Sequence, residues 1–155
     1  MTAADLSRLA LLGQLATTLP LVGLIWTVQL VHYPLFRLVG VERFPEYHAQ
    51  HSLWISVVVM PLMLAELALA VAWAALPPDV GALGLSGSRT ALLGLLLVAA
   101  VWIATFALSV PQHALLAEGF DAAAHARLVS TNWLRTAAWT GRAGLLMAVA
   151  WKMLR

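Results

Sequence analysis

Residues 9–31 contain no charged side chain, and a run of that kind leaves a chain few folds to choose from. About 20 consecutive apolar residues cross the hydrocarbon of a bilayer as a helix, because in lipid the backbone must satisfy its own hydrogen bonds. Gln14, Thr17, Thr18 and Gln29 interrupt the run without charging it. Two further stretches repeat the pattern: 53–76 carries a single carboxylate, Glu66, and 90–110 carries none. A fourth, 132–154, holds Arg135 and Arg142, and cations at such depth call for a protein or water neighbour. It is therefore expected to turn one face into the bundle. Only 10% of the chain is charged, against roughly a quarter in soluble domains. The expected fold is all-α: a four-transmembrane-helix bundle, one integral membrane domain over 1–155, with the lipid bilayer as its partner.

Run 9–31 exceeds the apolar core of an export signal and lacks a small-x-small cleavage site, so it is expected to be retained. Pro20 and Pro61 fall inside spans and predict local kinks, since proline removes a donor and crowds the preceding turn. A turn over 77–88 links the middle spans. The longer connections, 34–47 and 112–126, share the other side of the membrane. Pro45 suits a first helical turn and Asp121 an N-cap. Basic residues nearly tie between the two sides, with a lean to both termini in the cytoplasm of a bacterial inner membrane. Small residues such as Gly13, Gly23, Gly94, Gly141 and Gly144 permit close helix contact, within a homo-oligomer or a larger membrane complex.

All five histidines fall at the ends of spans on one side. His32 and His113 close the first and third, His48 and His51 open the second, and His125 opens the fourth. The i, i+3 spacing of His48 and His51 puts two imidazoles on one helix face. With no cysteine in the chain, any metal must be held by nitrogen and oxygen, and imidazole suits iron, copper and zinc. Glu46, beside His48, leads the acidic candidates for an accessory ligand, ahead of Glu42, Glu118 and Asp121. His32 and His113 are the natural axial pair for a haem b. The pattern is neither HExxH nor the Glu-x-x-His of di-iron bundles. The order span, histidine, phenylalanine, histidine occurs in both halves, which suggests a duplicated helical hairpin.

Deeper in the spans, Glu66 lies five helical turns from His48, and Arg142 almost as far from His125. The two should meet at one depth as a structural ion pair, because a lone buried charge is costly. Asn132, Arg135 and Trp139 continue the polar stripe of the fourth span. With no acidic partner at its depth, Arg135 points to an anionic or carbonyl-bearing substrate or a lipid head group. No catalytic residue can be named, because phosphate-cradling loops and nucleophile elbows are absent. The basic residues form no run, which argues against nucleic acid.

Residues 29–36 (QLVHYPLF), 47–51 (YHAQH) and 131–142 (TNWLRTAAWTGR) resemble uncharacterised small four-helix bacterial integral membrane proteins. That resemblance implies the topology and no activity. The residues themselves point to a histidine-rich site at one membrane face, binding a transition metal or haem for a redox role, as in a metal- or haem-dependent membrane oxidoreductase. The alternative is a non-enzymatic membrane component: a small transporter, a lipid-binding protein or an accessory subunit.

Overall fold

A computed structural model describes residues 3–155, with side chains from Asp5 onward. Among the described residues there are helices and no strands. Helix α1 covers Ala3–Thr27 and is prolonged by a wide π-helical turn, Val28–His32, then by Tyr33–Leu35 and a tight turn, Phe36–Leu38. Helix α2 is Phe44–Ala75. Helix α3 begins as Gly87–Ala104, passes through a second π turn at Thr105–Ser109, and ends as Val110–Ala117. Helix α4 is Ala122–Met153.

The helices are longer than the apolar runs, so the connections expected over 34–47 and 112–126 are corrected. Helix continues past Pro34 and Pro111 and resumes at Phe44 and Ala122, leaving short links. Pro45 lies in the first turn of α2, and the Asp121 carboxylate accepts from the Ala124 N–H at 2.7 Å as the N-cap of α4. At the opposite end, Ser86 caps α3, and the Thr90 hydroxyl accepts from the Ala82 N–H to tie the 76–86 link to the helix. That link folds back tightly: a Cβ on Gly87 would run into the Pro78 carbonyl.

Among the described residues, three helices are long and apolar enough to cross a membrane: Asp5–Leu38, Phe44–Ala75 and Gly87–Ala117. The fourth is as long as α2, yet its polar residues lower its average hydropathy. Those residues point inward: Asn132, Arg135, Thr136 and Arg142 are all buried. Its outer face shows Trp133, Leu134, Gly141, Gly144 and Met147, and carries no exposed charge between Arg127 and Lys152. That uncharged face extends for more than about 30 Å at 1.5 Å per residue.

Each helix packs against two sequence neighbours, with α4 closing the ring onto α1. Apolar layers fill the centre. Trp73, Leu145, Leu146 and Val149 pack near the 76–86 link, Leu21, Ile25, Met63 and Trp139 in the middle, and Tyr33, Phe36, Phe44, Leu116 and Leu128 at the histidine end. Lipid tails are as apolar as these side chains, so cohesion rests on close packing and interhelical hydrogen bonds.

Candidate functional site

The histidine end is shaped by the two π turns, and each has a proline behind it. Pro34 has no N–H and its ring crowds the carbonyl four residues earlier. The helix widens by one residue instead of breaking, and the Tyr33 N–H reaches Val28 O. At Pro111 the same happens: the Val110 N–H reaches Thr105 O. The turns (28 and 105), the prolines (34 and 111) and His48 with His125 all share one sequence separation, as a duplicated hairpin requires. On that register His32 matches Ser109 and His113 matches Phe36, so the two histidines that follow the first and third spans are not equivalent positions of such a repeat.

Four of the five histidines surround Phe36, which is fully buried, and His113 joins them through His48, His51 and Tyr33. Its ring centroid lies 5.3 Å from His32, 5.1 Å from His51, 6.0 Å from His48 and 6.3 Å from His125. The imidazoles bond in pairs. His32 Nε2 is 2.7 Å from His51 Nδ1, and His48 Nε2 is 3.0 Å from His113 Nδ1. His113 Nε2 is 3.0 Å from the Tyr33 hydroxyl, and His51 stacks on His113 at 5.8 Å. Thus four rings from three helices form one continuous cluster. His125 stands apart from it, with Nε2 2.8 Å from the Tyr33 carbonyl. Two ring nitrogens, His48 Nδ1 and His51 Nε2, are buried with no partner. Glu46 lies exposed on the first turn of α2, away from these contacts. Among the described residues, no three histidine or acidic side chains are arranged to hold a metal ion.

Arg135 lies one layer deeper, beside Tyr33. It is buried, donates from Nη1 to Ser109 Oγ at 3.3 Å, and faces the Trp139 ring at 5.4 Å. Its Nε has no acceptor. Asn132 and Trp139, grouped with Arg135 on the sequence stripe, are engaged elsewhere: Asn132 Nδ2 donates to Gln29 Oε1 at 2.9 Å, and Trp139 Nε1 donates to Glu66 Oε2 at 3.0 Å.

Glu66 and Arg142 form a fully buried ion pair, Nε to Oε1 3.0 Å. The same Oε1 accepts from Thr18 Oγ1 at 2.6 Å, while Arg142 donates to Gly94 O at 2.8 Å and Gln14 Oε1 at 2.7 Å. This node joins all four helices. Its charges are so fully partnered that they act as a structural core and leave little for a ligand.

Sequence reasoning missed Tyr33 and Ser109. Tyr33 follows His32 and precedes Pro34, and that proline signal could have placed it at a wide turn facing inward. Ser109 stands two residues before Pro111, the position that His32 holds before Pro34. Trp139 was missed as a donor to Glu66 because a stripe shows which residues share a face and not which partner each one finds.

No family model, curated protein or solved structure matches the chain.

Proposed function

We propose that the chain is a four-span integral membrane protein whose histidine cluster binds one transition-metal ion in a redox role. The observation that carries this reading is the pair of buried, unpartnered ring nitrogens, His48 Nδ1 and His51 Nε2, on one face of α2. Polar atoms that are buried without partners are uncommon and point to an absent ligand or water.

One tautomer assignment accounts for the whole set. His48 Nε2–H donates to His113 Nδ1, His113 Nε2–H donates to the Tyr33 hydroxyl, and His51 Nδ1–H donates to His32 Nε2. Both unpartnered nitrogens are then lone pairs, ready for a cation. His32 and His113 serve as the acceptors that fix the rings, the outer support that ligating histidines commonly have. His125 and Glu46 have no place in this set. Copper or iron would supply one-electron chemistry when bound, whereas zinc has none. The uncharged outer face of α4 supports its role as the fourth span.

The second reading is a non-enzymatic lipid-binding or accessory component, and the mutual pairing of the imidazoles favours it, because bonded rings need no ion. Metal analysis with an optical spectrum on detergent-purified protein separates the two. Stoichiometric copper or iron, lost in His48→Ala and His51→Ala and kept in His125→Ala, is the expected result. A Soret band would assign haem b instead, and protein with neither metal nor chromophore would leave the accessory reading.

A further inference from the structure

Among the described residues, one buried arginine remains once Glu66 is paired with Arg142. Arg135 is 7% exposed, and among the described residues no carboxylate lies within ion-pair distance of it. A guanidinium has five N–H donors in a fixed fork. Here one makes a 3.3 Å bond to a serine hydroxyl, the Tyr33 hydroxyl lies against the guanidinium, and Nε has no acceptor. A charge removed from water is stable in an apolar interior only when a counter-charge or water reaches it.

A cavity of about 260 Å³ lies directly against this group. Arg135, Tyr33, Ser109 and His113 form its polar floor, and Met60 and Phe106 stand among its apolar walls between α2 and α3. Phe106 is exposed on the outer surface, so the cavity meets the face that α2 and α3 turn to lipid. The second π turn holds Ser109 inward at the floor. The charge is buried, without a carboxylate partner, forked, and reached from an apolar side.

We propose that this cavity binds the carboxylate head of a long-chain amphiphile that enters from the bilayer between α2 and α3. The carboxylate oxygens accept from Arg135, with the Ser109 and Tyr33 hydroxyls as further donors, and the apolar chain leaves past Phe106. A compact carboxylate suits the volume better than a phosphodiester carrying glycerol and two acyl chains. The site does not depend on a metal at the histidine cluster.

The test is calorimetric titration of the full chain in detergent with oleate, methyl oleate and phosphatidylglycerol. Oleate is expected to saturate at one per chain. Its methyl ester should bind roughly tenfold more weakly or worse, since a bond to a charged group is lost. Arg135→Gln should weaken oleate by a similar factor, with Arg135→Lys intermediate and Ser109→Ala milder. Equal binding of acid and ester, or Arg135→Gln binding as tightly as the parent, would overturn the proposal. Phosphatidylglycerol displacing oleate at equal concentration would overturn the carboxylate assignment. If Arg135→Gln fails to fold, the acid and ester comparison on the parent chain still decides. Metal content measured on the same samples keeps this result separate from the redox reading: intact oleate binding in metal-free protein is failure of that reading alone.

Discussion

At Glu66, donors from α1 and α4 meet one carboxylate of α2, and Thr18 Oγ1, Trp139 Nε1 and Arg142 Nε each lose that acceptor if the carboxylate is removed. Breaking a buried pair from one side typically costs about 3–5 kcal/mol, because the surviving charge stays buried alone. Glu66→Leu is therefore expected to lower the unfolding temperature in detergent sharply. Glu66→Leu with Arg142→Leu should recover much of that loss, since two apolar groups then replace two charges. A double variant no more stable than the single one would show that the hydrogen bonds of Thr18 and Trp139 hold the node. The meeting of Glu66 and Arg142 was legible because both lie a near-whole number of turns from a histidine at the same end. Asn132 and Trp139 were not separable from Arg135 on the same grounds. All three share a stripe, and only packing shows that the first two find partners on Gln29 and Glu66 while Arg135 faces a cavity.

At the scale of the helix, the wide turns decide which way the histidine end faces. Pro111→Ala restores the missing N–H and relieves the crowding, so 105–109 should close into regular α-helix. Removing the extra residue turns the chain beyond it by about 100° relative to the rest of α3. His113 then leaves His48 and Tyr33. Nitrogen NMR of labelled histidines should show the hydrogen-bonded signals of His48 and His113 change while total helicity stays constant. Unchanged signals would mean that the packing of Leu116, and not the proline, sets the wide turn. The four helices could be read from apolar runs, but a run has no phase, and reading faces at 3.6 residues per turn cannot register an added residue. For that reason the five histidines were assigned to one end correctly, while Tyr33 and Ser109 escaped notice and His32 and His113 were set in parallel though they lie on opposite sides of their prolines.

For the molecule as a whole, α4 is the helix that decides the topology. Hydropathy summed along it counts Arg135 and Arg142 as though they met lipid, whereas both are buried and the outer face is uncharged. A four-span arrangement places both ends of the chain on one side. Reporters fused to the N- and C-terminus, one active only outside the cytoplasm and one only within it, are expected to agree and to place both ends inside. Ends in opposite compartments would show that α4 does not cross, and both ends outside would reverse the orientation while keeping four spans.

The paired wide turns also bear on descent. A π turn amounts to one residue inserted into a regular helix. Had the halves been joined first, two separate insertions at equivalent places would be needed to give the turns at Val28–His32 and Thr105–Ser109. One insertion suffices if it came before the joining. On the reading of a duplicated hairpin, a half-length ancestor already carrying the bulge is the history that needs the fewest insertions.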